Sequence, residues 1–432
     1  MSCERPSTKG WSATRLCLAL IAGLLGCGPP PTYSEHIAPI LQGKCQSCHR
    51  PGQVAPMSLV SYEDARAYAG LIGVSIAVGN MPPFYASGPA DYFRNDIRLS
   101  EAEKALIFDW VDAGAPEGDP DLLPPPIEWP DSPWPLGEPD LVIRFPRHSP
   151  PRNFRDHYIT LVTDYVFPEE TWVRALHLQT ESKKAVHHST QFLWDPMIPV
   201  PPGRKTLDHI PPKWALFTWF PGFIAEPLLP GQALRIPKGA RVASRTHFGP
   251  TEENLSEQLE LGVYYADGTV DSVQKHVSLQ MPLIRIPPGD SHYEHRKSVR
   301  FREDALVSHF RIHMHLRGKA AKIIFHYPDG TQETVFDLPR YRFSWQRYYY
   351  LVEPIPVPRG TRAEFIGVWD NSADNPLNPD PTVWCGWGPR TVDEMFGGSV
   401  FYTPQKKLAE PLEVEHGRLV KGKSRGASSP LL

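Results

Sequence analysis

At 432 residues the chain is long enough for about two to four domains and a sizeable core. Forty-five basic against 48 acidic side chains leave a formal net charge of −3, which offers no basic surface to a nucleic-acid partner. Forty-nine prolines, 17 histidines and six cysteines point to a loop-rich, mostly β chain after the first quarter, with metal chemistry by imidazole rather than thiolate.

The chain opens on a leader. Lys9 and Arg15 precede an apolar run from Leu16 to Leu25, too short to span a bilayer and suited to the apolar core of a secretory signal. The run ends Leu24-Leu25-Gly26-Cys27, followed by Gly-Pro-Pro, and resembles a bacterial lipobox. Residues 1–27 then read as a lipoprotein signal peptide, with Cys27 lipidated as the mature N-terminus; a plain signal peptide cut near Gly28 is the alternative. Both predict export. The first also predicts a lipid anchor holding the chain to a bacterial membrane, in the periplasm or at the cell surface.

Residues 30–125 read as a small helical domain. Cys45-Gln46-Ser47-Cys48-His49 is C-x-x-C-H, the attachment signature of c-type haem: two thiols add to the vinyl groups and the imidazole ligates the iron. Ser34 is placed to cap a helix through Leu41, and Ser61 with Glu63 and Asp64 to start a second. Ser100 and Glu103 form a capping box opening a third helix that stops at Gly114. Three short helices around this motif look like a class I cytochrome c domain; a redox C-x-x-C or half of a zinc site is the alternative. A methionine should complete the iron coordination, because a His/Met pair raises the potential. Met81, in Asn80-Met81-Pro82-Pro83-Phe84, is preferred over Met57, which lies only eight residues after His49 and reads as packing.

Proline-rich residues 126–142 read as a semi-rigid linker. Helical periodicity then vanishes. Apolar runs at 141–145, 158–162, 172–178, 259–265, 321–327 and 362–369, separated by turn residues, predict two jelly-roll-like β-sandwiches at 143–285 and 286–405. The charged stretch 406–432 reads as a disordered tail.

Within the sandwiches, three histidine features carry chemistry. In Arg311-Ile312-His313-Met314-His315-Leu316 apolar and polar residues alternate, so His313 and His315 share one face of a strand with Arg311. At ~3.3 Å per residue their imidazoles stand about 7 Å apart along the strand, able to converge on one ion. His187-His188 is an adjacent pair, and joint ligation needs a bulge or different ring nitrogens, since strand neighbours face opposite sides. His247 stands 59 residues beyond the pair. His309 and His326 read as packing or surface residues, and Trp345, Gln346 and Tyr348 as packing.

The set His187, His188, His247, His313, His315 and Met395, with Arg317-Gly318-Lys319 after the H-x-H strand and Asp393-Glu394-Met395 near the end, resembles the copper type II ascorbate-dependent monooxygenases. This is the family of peptidylglycine α-hydroxylating and dopamine β-monooxygenases. The likeness spans residues 130–405. It implies two copper ions: one held by His187, His188 and His247 for electron storage, the other by His313, His315 and Met395 for oxygen. It also implies that the two face each other across a cleft that admits substrate. An arginine at the position of Arg311 binds the substrate carboxylate in the peptide-hydroxylating branch; an ion pair with a structural acid is the other reading. Three imidazoles suit either copper oxidation state, and a thioether favours Cu(I). The family's disulfides are absent, Phe396 replaces a cysteine, and Ser399 stands where peptide-type members have a tyrosine.

The expected activity is hydroxylation of a C–H bond of a small organic substrate by O2. The expected cofactors are two coppers and one covalent haem c. Electrons would come from an ascorbate-like donor or a periplasmic redox protein. A non-catalytic haem/copper electron-transfer or copper-binding protein is the principal alternative. A cupin-like iron oxygenase using His313, His315 and Glu394 is a third.

Overall fold

In a computed structural model, residues 29–130, 132–151, 157–182, 185–194, 215–249 and 255–420 are described. Cys27 and the leader lie outside them, as does the tail from 421. No helix among the described residues is long and apolar enough to cross a membrane. The architecture is mostly β, two jelly-roll-like sandwiches preceded by a small all-α unit.

The helical unit comprises the chain up to Pro51, Met57–Pro82 and Leu99–Ile127. A π-turn at Tyr33–Ile37 runs into α1 (Ala38–Lys44). Ser34 is therefore not a cap but a buried residue inside that turn, and Thr32 holds the capping position. The start lies two residues earlier than expected, and Tyr33 reaches into the core beside Trp110. Ser61 caps α2 (Tyr62–Ala67), accepting from Asp64 N–H at 3.1 Å, and the helix breaks at Tyr68 before α3 (Ala69–Ala77). α4 (Glu101–Asp112) starts on the complete Ser100/Glu103 capping box and ends before Gly114, whose φ of +83° suits glycine. Ile37, Leu41, Leu59, Ile107 and Trp110 form the core of this unit.

The first sandwich packs two sheets. One orders β1 (Leu141–Arg144), β8 (Leu259–Tyr265), β3 (Thr171–Thr180), β6 (Gln232–Ile236) and β10 (Ser272–Val273); the other orders β2 (His157–Val162), β7 (Arg241–Phe248), β4 (Val186–Trp194) and β5 (Ala215–Trp219). Val173, Leu178, Val242, Phe248 and Leu261 fill the space between them. β9 (Gly268–Val270) pairs instead with β21 (Leu412–Glu415), which also pairs β22 (Arg418–Leu419). The tail is therefore ordered as far as 420, contrary to its composition: Val414 is buried against Trp172 and Val270. The proline-rich linker is likewise not free. Trp134 is buried against the backbone of Gly262, where a Cβ would come within 2.6 Å of its ring, and edge-on to His177.

The second sandwich orders β11 (Lys275–Gln280), β20 (Phe396–Pro404), β14 (Ala305–Met314) and β17 (Tyr348–Val357) in one sheet. Its second sheet orders β13 (Tyr293–Arg300), β18 (Arg362–Trp369), β15 (Gly318–His326) and β16 (Gln332–Leu338). A short pair, β12 (Arg285–Ile286) with β19 (Cys385–Gly386), closes one end. Two boundaries are corrected. β11 pairs along its whole length with β20, so the second sandwich begins near 275 and not at 286. Residues 83–98 leave the helical unit: Phe84 and Phe93 are buried against Tyr349 in the core of the second sandwich, and Phe93 bridges to Leu351.

Candidate metal centres

On β14 the even residues Phe310, Ile312 and Met314 enter the core, which turns Arg311, His313 and the following His315 to the opposite face. β20 runs antiparallel beside it with His313 opposite Gly397, Arg311 opposite Ser399 and Met314 opposite Phe396. Met395 immediately precedes β20, just beyond the last pair of that register. Gly397 has no side chain over His313, and a Cβ there would make only ordinary contact with the His313 Cβ at 3.6 Å.

Both imidazoles are held through Nδ1. His313 Nδ1 lies 2.7 Å from Gln346 Oε1, and His315 Nδ1 lies 3.1 Å from the Asp393 carbonyl oxygen. Each partner accepts, so Nδ1 carries the proton and Nε2 presents its lone pair, as a metal ligand requires. Burial, reinforced by His315, drives the His313 pKa well below its usual value and keeps the ring neutral. Replacing Gln346 by Ala should weaken copper at His313 and His315 by ~10–100-fold, measured by competition with a chromophoric chelator. Unchanged affinity would show that Gln346 only packs.

Glu394 is not available as a ligand. Its carboxylate accepts from the N–H groups of His315 (3.1 Å), Arg317 (2.6 Å) and Met395 (3.3 Å) and from Trp369 Nε1 (2.9 Å). It is fully buried, and burial pushes its pKa up to about 7 against those four donors. The iron reading with a Glu394 carboxylate is thereby lost: this side chain fastens the Asp393–Met395 turn to the end of β14.

In the first sandwich the β4–β7 register passes from Val186↔Phe248 to His188↔His247, leaving His187 as the extra residue of a β-bulge. The bulge rotates His187 to the side of His188, and their Nδ1 atoms lie 3.0 Å apart. With His247 the three ring centroids are 5.0 to 5.3 Å apart, and one nitrogen from each falls within 4.8 Å of the others. Tyr158 stacks on His247 at 4.0 Å and Phe343 on His187 at 4.5 Å, fixing both planes. Burial, then the charges of His247 and His187, drives the His188 pKa well down.

The two sets belong to outer faces of different sandwiches, and these faces meet. Tyr348 Oη accepts from the Thr218 N–H at 2.8 Å, and Phe220, Tyr348, Tyr350 and Phe401 form an aromatic cluster. His188 and His313 are in edge-to-face contact, 5.5 Å between centroids, about the separation within each set. The expected open cleft is closed at that point. Arg311, half-buried beside them, pairs with no carboxylate among the described residues; its Nη2 donates to Gln346 Oε1 at 3.3 Å and its Nε is enclosed without a partner.

In the helical unit, the N–H groups of Cys48 and His49 donate to the Cys45 carbonyl at 3.1 and 2.9 Å, so the two thiols and the imidazole project from one turn. His49 Nδ1 lies 3.2 Å from the Met57 carbonyl oxygen, which leaves Nε2 for iron. The donor set fits a c-type haem. Met57 packs on the core of the unit, and Met81 is half-buried in the loop after α3, its N–H donating to the Ser75 carbonyl.

Sequence reasoning missed Gln346 and Phe343. Both come from the connection between β16 and β17, and no spacing signal ties them to the histidines. Tyr348 packs in the aromatic cluster as expected, whereas Gln346 holds His313 Nδ1.

No family model matches this chain, and neither does any curated protein. Among solved structures, the major capsid protein P2 from Bacteriophage PM2 is 9% identical with a TM-score of 0.26, covering 59% of this chain and 99% of that one. The STIV MCP (6%, 0.26, 62% and 95%) and the PBCV-1 virus capsid (7%, 0.23, 65% and 96%) are similar to the same degree. Scores this low support no argument about what the chain does.

Proposed function

We propose that this chain is an exported, lipid-anchored copper monooxygenase that hydroxylates a C–H bond of a small organic substrate with O2, its electrons relayed by a fused c-type haem. The observation that carries the reading is the convergence of five imidazoles from β4, β7 and the end of β14, with Nδ1 of His313 and His315 tied to acceptors and His188 in edge contact with His313. His187, His188 and His247 would hold one copper, and His313, His315 and Met395 the other. Copper there would supply O2 reduction and one-electron storage; haem on Cys45, Cys48 and His49 would supply one-electron delivery. One oxygen atom enters the C–H bond, the other leaves as water, and two electrons and two protons are consumed. Arg311 orients the substrate: a half-buried guanidinium with no acid partner among the described residues suits a carboxylate, and its side chain shares the face of His313. Closely packed Phe343, Tyr158 and Tyr348 keep bulk water from the histidines.

The test is quantitation of metal and haem on the mature protein, followed by coupling of reductant oxidation to product over a panel of carboxylate-bearing substrates. Two coppers, one haem and copper-dependent coupling are expected. Haem reoxidation by O2 at the same rate without copper would favour the non-catalytic electron-transfer protein instead, and iron in excess of haem would sink the copper assignment.

A further inference from the structure

A separate cavity opens between the sandwiches, with about 750 Å³ of atom-free space including its open mouth. Its walls are aromatic and aliphatic, among them Phe217, Phe223, Leu234, Tyr350 and Phe401. One polar side chain in this wall is buried and has a directed, unused atom. His309 is 7% exposed and stacks on Phe401 with 4.2 Å between centroids. Ser308 Oγ lies 2.9 Å from His309 Nδ1 and 3.3 Å from the Phe401 carbonyl oxygen. The hydroxyl has one proton, and the carbonyl can only accept, so Ser308 donates to Phe401 and accepts from Nδ1–H. That fixes the tautomer: His309 Nε2 is a bare acceptor. It makes no hydrogen bond among the described residues and is not enclosed, so its remaining exposure falls in the cavity it lines. Burial also drives the His309 pKa well down, consistent with a neutral ring.

A cation is a poor occupant, because Arg94 and Arg174 both line the cavity; Arg94 is paired with Glu226 at 2.5 Å, whereas Arg174 has a ring contact with Tyr264 and no acid partner among the described residues. A flat ring with a neutral hydroxyl donor matches all of these features: stacking surfaces, one acceptor, a slightly positive rim. We infer that this cavity binds a small single-ring phenol, its hydroxyl donating to His309 Nε2 and its ring lying against Phe401 and Phe223. The site is distinct from the histidine sets and does not rest on the metal reading, although Tyr348 lies in its wall and also stands opposite Arg311.

The test is calorimetric titration of the full-length, metal-free chain with p-cresol, anisole and toluene. p-Cresol is expected to bind at least tenfold more tightly than either probe lacking a donor. His309→Phe should bring p-cresol down to the toluene level, His309→Gln should retain part of the preference through its amide oxygen, and Leu234→Trp should block all three. Equal binding of p-cresol and toluene, no binding of any probe, or an undiminished p-cresol preference in His309→Phe would each overturn the proposal. Should His309→Phe fail to fold, the comparison of probes on the natural chain and on His309→Gln still decides it. Because no metal is present, failure here leaves the copper reading untouched.

Discussion

His313→Ala, loaded with excess copper, is expected to hold one copper in place of two and to lose reductant-coupled turnover down to the level of the copper-free chain. The imidazole sits with Nδ1 on Gln346 and Nε2 presented, and Gly397, directly opposite, has no side chain to replace it. The fold should survive, because the core face of β14 is carried by Phe310, Ile312 and Met314 rather than by the histidines. His247→Ala is the matched control, losing the other copper. Met395→Ala separates the roles further. A thioether is a soft ligand, so its loss should lower Cu(I) affinity strongly and Cu(II) affinity little. Copper content by mass spectrometry, with Cu(I) and Cu(II) titrated separately, gives the answer. If His313→Ala keeps two coppers, or Met395→Ala binds Cu(I) as before, the ligand set is misassigned.

Much of this arrangement was legible because it is periodic. Alternation through Arg311–Leu316 fixed which side chains share a face, and the adjacency of His187 and His188 called for a bulge or different ring nitrogens, of which the β4–β7 register contains the bulge. Capping chemistry at Ser61 and Ser100 placed two helix starts. What failed was long-range. The Pro287-Pro288-Gly289 turn resembles a domain boundary, yet the partner of β11 lies more than a hundred residues away on β20, and local composition carries no trace of that pairing. Residues 83–98 look like a haem-domain loop because their prolines hide the burial of Phe84 and Phe93. The tail did carry a signal. Leu412-Glu413-Val414-Glu415 alternates apolar and charged, the pattern of a half-buried strand, and its surroundings outweighed it. Gln346 had no such signal, since its role depends only on where a connection folds back.

The same dependence on long-range pairing makes Glu394 the most sensitive structural position near the histidines. Its carboxylate is the shared acceptor for two N–H groups just past the end of β14, one at the entrance to β20 and the indole of Trp369, itself fully buried. Glu394→Ala removes the acceptor and leaves these donors enclosed with nothing to receive them. Leaving a buried donor without an acceptor costs about 1–3 kcal/mol per group, so the loss should reach at least about 3 kcal/mol. Glu394→Gln keeps the shape and one oxygen but turns an NH2 toward at least one donor, and should lose less. Because Glu394 adjoins Met395 and holds the His315 backbone, the Ala variant should also bind copper more weakly at His313 and His315 while the His187, His188 and His247 set is unaffected. Urea unfolding followed by tryptophan fluorescence, with copper titration of the variant still folded, checks both parts. A Glu394→Ala chain that unfolds within about 0.5 kcal/mol of the natural one, as an ordinary surface change would, means that the turn carrying Met395 is held by something other than this carboxylate.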